Sequence, residues 1–316
     1  MKEAKIKIKN LNKYFHLSKT ESVYAVDSID FEIFNGEILG LVGESGCGKT
    51  TTGRTILRLI EPDSGEVIFK GKNILKFSHT NMRKIRKEMQ IIFQDPFSSL
   101  DPRKSVENII SQPLRIHRYG NYKQIKERTM YLMDRVGLTT EMKSKYPHEL
   151  DGGRCQRIGI ARAIALDPSF IVCDEPVSAL DVSIRVQILN LLEELRQEMD
   201  LTYLFISHDL SVVRRLSQRI MVMYLGKIVE ISGAKKLYDE PLHPYSEALL
   251  SAIPTLKLTN RKKRIILKGD VPTPINLGSG CRFYRRCWKA FDQCAEITPS
   301  LKEIKPGHWV ACYLYK

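Results

Sequence analysis

Long hydrophobic runs are missing from this sequence. A membrane-spanning helix needs roughly 20 apolar residues in a row, and the longest candidates here, IMVMYLG and FIVC, have only the length of strands. The hydrophobic stretch of a signal peptide is missing too. The opening MKEAKIKIKN alternates charged and apolar side chains, so the expected place of the chain is the cytoplasm. There is no internal repeat and no low-complexity segment, and 43% hydrophobic residues over 316 positions are enough to build a core, which sets disorder aside. Acidic residues are scarce: 36 Asp and Glu stand against 50 Lys and Arg, a net charge of +14. The imbalance is concentrated in residues 251–316, where thirteen Lys and Arg meet four Asp and Glu, a net +9. Such a patch suits nucleic acid, anionic lipid or an acidic partner. With no aromatic-interleaved RNA motif and no recognition-helix signature, nucleic acid is not expected, and a solvated basic face near a membrane is the simpler reading. Paired C-x2-C knuckles are also lacking. Cys47, Cys155 and Cys173 are scattered, whereas Cys281, Cys287, Cys294 and Cys312 fall within the last 36 residues. In a reducing compartment that cluster points to a metal before a disulfide.

What is present is an alternation of strands and helices. From Lys5 to Phe34 the pattern IKIKNL…VDSIDFEIF predicts antiparallel strands of a small β-layer. Residues 37–42, EILGLV, read as a buried strand running into a glycine-rich turn, with a helix expected from Lys49 to Ile60. EVIFKGKNI and MQIIFQ follow as strands, and residues 105–137 have helical periodicity broken at Gln112-Pro113 and Tyr119-Gly120. A second α/β stretch comprises a helix after Gly153, the buried strand FIVCDE, a helix over 182–199, the strand YLFIS, a helix over 209–217 and a hairpin at Leu225-Gly226. Strands separated by helices imply a mainly parallel sheet covered on both faces. The prolines beyond residue 240 place a domain boundary near Pro254.

Two motifs carry the chemistry. GESGCGKT fits the P-loop pattern in its required context, a buried strand before and a helix after. Gly43, Glu44, Ser45, Gly46, Cys47 and Gly48 form the loop whose backbone N–H groups close round phosphates. Lys49 places a point charge on the β- and γ-phosphates, the Thr50 hydroxyl ligates Mg²⁺, and Thr51 adds a hydrogen bond one residue on. Cys47 occupies a free position of the motif and reads as a tolerated small residue. In FIVCDEP a buried strand delivers two adjacent carboxylates to its end: Asp174 to hold Mg²⁺ through water, Glu175 to polarise an attacking water.

In order and spacing these residues resemble the nucleotide-binding subunit of an ABC transporter. The resemblance implies an α/β fold of the ABC type of P-loop NTPase, with an antiparallel β-layer, a helical lobe at about 95–165 and a small cysteine-containing extension, divided as residues 1–253 and 254–316. It implies that Gln94 in IIFQDP is the Q-loop glutamine, catalytic and a Mg²⁺ ligand. LDGGR, with Asp151, Gly152 and Gly153, corresponds to the signature loop, Ser178-Ala179-Leu180-Asp181 to the D-loop, and His208 in FISHD to the switch histidine. Phe15 in NLNKYF falls where the family stacks an aromatic ring on adenine, with neighbouring Tyr14 as an alternative. PLHPYSEALLSAIP, residues 241–254, is similar to the C-terminal segment of oligopeptide and dipeptide importer ATPases, and GESGCGKT with RCQRIGIARA resembles the second of the two ATPase subunits such importers pair.

From this follow the expected cofactors and partners: ATP and Mg²⁺; a second ABC ATPase, most simply in a heterodimer; two transmembrane permease subunits; and, indirectly, an extracellular substrate-binding protein. The place implied is the cytoplasmic face of the membrane. The rival class is an ABC-type ATPase that acts on nucleic acid. The cysteine spacing C-x5-C-x6-C-x17-C leaves iron, zinc and plain buried thiols open. Related importer ATPases hold a [4Fe–4S] cluster in a similar pattern, so the resemblance implies one on Cys281, Cys287, Cys294 and Cys312, its charge offset by Arg282, Arg285, Arg286 and Lys289. One residue departs from the family. Asp151 stands where a serine usually donates to the γ-phosphate of ATP on the opposing subunit. A carboxylate there either repels that ATP or simply caps the following helix.

Overall fold

The structure, a computed structural model, describes residues 3–253, 264–267, 269 and 272–315. Strands β1 (Ala4–His16) and β2 (Ser22–Phe34) are the alternating segments of the expected β-layer. Their period-two pattern buries Ile6, Ile8, Ile29, Phe31 and Ile33, as a sheet with one covered face requires. Strand β3 (Ile38–Val42), buried at every position, runs into the glycine turn and helix α1 (Lys49–Ile56). The helix ends at Ile56 and not at Ile60. Arg58 takes a left-handed φ of 53°, and the N–H groups of Leu59 and Ile60 turn back to the Arg54 carbonyl at 2.9 and 3.3 Å.

Strands β4 (Ser64–Phe69) and β5 (Lys72–Asn73) are followed by a short helix α2 (His79–Ile85) and strand β6 (Met89–Ile92). The helical periodicity resolves into α3 (Val106–Ile116), which contains Pro113, and α4 (Tyr122–Arg135), which opens on a capping box between Asn121 and Gln124. Then come α5 (Gly152–Ile164), β7 (Phe170–Asp174), α6 (Val182–Met199), β8 (Thr202–Ile206), α7 (Leu210–Leu216), and the hairpin of β9 (Arg219–Tyr224) with β10 (Lys227–Gly233). Helices α8 (Ala234–Asp239) and α9 (Pro244–Ser251) lead to the expected boundary at Pro254, which lies outside the described residues. Helix α10 (Asp292–Glu296) and strands β11 (Lys302–Lys305) and β12 (His308–Val310) complete the chain.

The chain divides into two compact units. The first comprises Met1–Lys5, Phe34–Glu37 and Lys76–Phe205. In it β8, β7 and β6 lie side by side, β6 and β7 parallel with Met89 opposite Phe170. Helix α3 packs on α4 and α5, and α5 in turn on α4 and α6. The second comprises Ile6–Ile33, Ile38–Leu75 and Ile206–Lys316. It holds the antiparallel layer in the order β2-β1-β4-β5, and a second group in which β3 pairs with β9 in parallel and β10, β12 and β11 follow antiparallel. Among the described residues no helix is long and apolar enough to cross a membrane.

Candidate nucleotide site

In the second unit the loop between β3 and α1 is built for an anion. Gly48 stands at the helix N-cap with φ 106°, and no side chain caps the helix. A Cβ on Gly48 would stand 2.0 Å from the Ala25 carbonyl oxygen, so the turn admits only glycine. Lys49 is 5% exposed. Its ammonium donates to the carbonyls of Gly43 and Glu44, both at 2.9 Å, folding the side chain back over the loop. A buried ammonium resting on neutral oxygens beside an uncapped helix start fits a polyphosphate, which would supply the missing negative charge. Ser45 and Gly46 are exposed, Thr50 and Thr51 half-buried. Cys47 is buried, and burial pushes its thiol up in pKa, which agrees with a small neutral residue at that position.

The same unit holds Phe15 and His208. Phe15 is 38% exposed at the end of β1, with the Lys13 ammonium 5.4 Å from its ring centre. The alternative, Tyr14, has its hydroxyl 2.8 Å from Asn12 Oδ1 and 3.0 Å from Asp27 Oδ1, and its ring 4.7 Å from that of Tyr24. His208 is exposed between β8 and α7. The preceding Ser207 donates its N–H to the Leu41 carbonyl at 3.1 Å, beside the strand that delivers the P-loop.

In the first unit β7 ends in Asp174, 1% exposed, followed by Glu175 with a left-handed φ of 48°. Gln94, just past β6, donates from Nε2 to Glu175 Oε2 at 3.1 Å, so parallel pairing of β6 with β7 brings these two predicted residues together. The Glu175 carbonyl receives the N–H and hydroxyl of Ser178 at 3.2 and 3.1 Å, which fixes the turn leading to Asp181. Asp181 is exposed at the N-cap of α6. Asp151 is the N-cap of α5, which begins at Gly152 and not after Gly153. Its Oδ1 accepts the Arg154 N–H at 2.8 Å, and its Oδ2 lies 3.2 Å from the Arg154 guanidinium. Cys155, in the next turn, has its thiol pushed up to about 11 by burial and by Asp151.

The iron–sulfur expectation needs correction. Cys281, Cys287, Cys294 and Cys312 line one narrow cavity, yet among the described residues no group of three or more His, Cys, Asp or Glu is placed to hold a metal ion. Burial raises the thiol of Cys281 to about 11. Three of the four cations expected to offset a cluster's charge are also engaged elsewhere. Arg282 binds Asp27 at 2.7 Å, Arg286 binds Glu44 at 2.7 Å and Lys289 binds Glu247 at 2.8 Å.

Sequence reasoning missed how tightly this segment holds the P-loop. Phe283 is buried against Tyr224, Tyr245 and His243. The Tyr245 hydroxyl accepts the Glu44 N–H at 2.9 Å. The HPY triplet was the available signal: His243 caps α9 by accepting the Tyr245 N–H, and burial lowers its imidazole to about 4, keeping it a neutral acceptor.

Comparison with known proteins agrees with this geometry. Residues 26–178 match the family model described as ABC transporter, and residues 229–294 that of the oligopeptide/dipeptide transporter C-terminal region. The oligopeptide transport ATP-binding protein AppF of Bacillus subtilis is 49% identical, covering 99% of this chain and 98% of its own length. The oligopeptide transport ATP-binding protein OppF of Haemophilus influenzae is 46% identical over 97% of this chain and 93% of its own. Among solved structures, the ATP-binding cassette MJ0796, a dimer in a post-hydrolysis state bound to ADP and Pi, superposes with a TM-score of 0.66 at 28% identity, covering 72% of this chain and 98% of that one.

Proposed function

Because the chain belongs to the ATP-binding subunits of ABC transporters, with their α/β P-loop NTPase fold and their ATPase activity, we propose that it powers the import of oligopeptides or dipeptides. The observation that carries the reading is the buried Lys49 ammonium on two carbonyls beside the uncapped start of α1. On this reading residues 43–51 bind the phosphates of ATP, and Lys49 moves from the carbonyls of Gly43 and Glu44 to phosphate oxygens. Phe15 stacks on the adenine. Glu175 takes the proton of the attacking water, and its hydrogen bond with Gln94 supports that role by fixing one carboxylate oxygen. His208 acts as the switch histidine, and Asp151, Gly152, Gly153 and Asp181 face ATP held by the opposing subunit. Thr50, Gln94 and Asp174 would hold a bound Mg²⁺, which would neutralise phosphate charge.

The partners are a second ABC ATPase in a heterodimer, two permease subunits and, through them, an external binding protein. The chain then lies peripherally on the cytoplasmic face of the membrane. Residues 1–253 form its nucleotide-binding domain, with the helical lobe at about 95–165, and residues 254–316 its extension. The test is turnover of the assembled transporter in liposomes. Stimulation of ATP hydrolysis by binding protein loaded with peptide is expected. Indifference to peptide, with stimulation by nucleic acid, would overturn the reading.

A further inference from the structure

The P-loop contains an acid, Glu44, in a loop whose task is to receive an anion. Its carboxylate is gripped by Arg286, with Nη1 2.7 Å from Oε2 and Nη2 3.3 Å from Oε1. The two residues are 242 positions apart in sequence. Both side chains are largely withdrawn from solvent, Arg286 8% and Glu44 24% exposed. Arg286 sits on a single 3-10 turn, Tyr284–Arg286, anchored by buried Phe283. Its guanidinium also reaches the Tyr224 hydroxyl at 3.4 Å. The loop is thus held from two sides by residues outside it: Tyr245 takes the Glu44 N–H, and Arg286 takes its carboxylate.

We propose that Arg286 is a positioning residue for ATP binding, neutralising and fixing Glu44 so that the P-loop accepts a polyphosphate. The inference rests on the reading of residues 43–51 as the phosphate loop. Without Arg286, Glu44 is an unpaired carboxylate of the loop that ATP, with its own negative charges, approaches, and like charges at such range repel more strongly when solvent is partly excluded. A bidentate arginine pair also has one preferred geometry, so it fixes the carboxylate as well as neutralising it. A lysine keeps the charge and loses the fork. The C-terminal segment thereby contributes to the phosphate site without touching the nucleotide.

The experiment is calorimetric titration of the purified full chain with ATP, for the parent, Arg286→Met, Arg286→Lys, Glu44→Gln, Glu44→Gln with Arg286→Met, and Lys49→Ala. Arg286→Met is expected to raise the Kd for ATP about tenfold, less at high salt, and Arg286→Lys about threefold. In the Glu44→Gln background the same Arg286→Met change is expected to shift Kd less than about twofold, because no carboxylate is left to neutralise. A merely structural role for Arg286 would cost the same affinity in both backgrounds, and that result overturns the proposal, as does no loss in either. Lys49→Ala separates the two levels. If it abolishes binding while Arg286→Met does nothing, the phosphate loop stands and the Arg286 role falls; if it leaves binding intact, the loop reading falls and the role with it.

Discussion

Two glycine-rich turns open helices in this molecule, and they use an acidic residue in opposite ways. At α1 the cap is Gly48, which has no side chain to cap the helix, and the acid of the loop, Glu44, is drawn off by Arg286. At α5 the cap is Asp151 itself, whose carboxylate takes one of the helix N–H groups at 2.8 Å. The first arrangement has no capping side chain; the second consumes one helix donor internally. Glycine enters for different reasons too. Gly48 is demanded by a left-handed φ and by the Ala25 carbonyl, whereas Gly153 is helical and yields space to Ile184, whose Cγ2 would lie 2.6 Å from a Cβ. Glycine content alone therefore does not make an anion site. What distinguishes the two turns is where the acid's hydrogen bonds go.

The largest effect that probes this contrast is expected at Glu175. Glu175→Gln keeps the shape and the acceptor for Gln94 but loses the base, so turnover at this chain's P-loop should fall by about 10²–10⁴ with ATP affinity retained. Single-turnover hydrolysis in the assembled transporter measures it, and normal turnover would remove Glu175 from its role. Next in size is Lys49→Ala, which deletes the charge that the uncapped helix start cannot replace alone. ATP affinity should drop by about 10² in equilibrium titration, while the parallel change Arg154→Ala beside Asp151 should leave affinity at this P-loop within about twofold. If both substitutions acted alike, the distinction between an open and a self-capped turn would collapse.

Much of this contrast was legible in the sequence, and the part that was not has a physical cause. The strand before Gly43 and the helix after Lys49 follow from an apolar run, a glycine cluster and helical periodicity. The meeting of Gln94 with Glu175 was not read there and comes from the parallel pairing of β6 with β7. Local chemistry also makes Asp151 a cap, since Asp and Ser serve there about equally. The partner of Glu44 was not legible, because no local rule links positions 242 apart. The same blindness misled the reading of the tail. Four closely spaced cysteines and four nearby cations suggested a charged cluster, but Arg282, Arg286 and Lys289 each pair with a carboxylate far upstream. The β11–β12 hairpin was missed as well. Its segments are short, and its best-buried contact, His308 with Glu230 at 2.6 Å, spans 78 positions.

Backbone substitution sharpens the comparison at a smaller scale. Gly48→Ala forces a Cβ against a carbonyl at a strained φ, so a loss of about 2–4 kcal/mol is expected in denaturant unfolding. Gly153→Ala pushes only on the Ile184 side chain and gains helix propensity of about 1 kcal/mol, so its net cost should stay near 1 kcal/mol. Equal losses would mean that the two turns impose the same demand on their glycines.

The smallest and most discriminating effect concerns Asp151. An ionised carboxylate about 4 Å from a phosphate charge, at an effective dielectric near 20, meets a repulsion of roughly 4 kcal/mol. That figure is an upper bound here, because the side chain is 58% exposed and Arg154 stands 3.2 Å away. Stability separates the cap from the charge. Asp151→Ser preserves an N-cap acceptor and should unfold within about 0.5 kcal/mol of the parent, whereas Asp151→Ala should lose about 1 kcal/mol. Turnover then reads the charge. With this chain's own site silenced by Glu175→Gln, the hydrolysis that remains in the assembled transporter reports the opposing subunit's P-loop. If Asp151 opposes the ATP bound there, Asp151→Ser raises that residual rate several-fold, and the gain shrinks as salt screens the carboxylate. A rate unmoved by the substitution, with the cap intact, means that this carboxylate is fully occupied by its own helix and that the turn is closed to phosphate by self-capping alone.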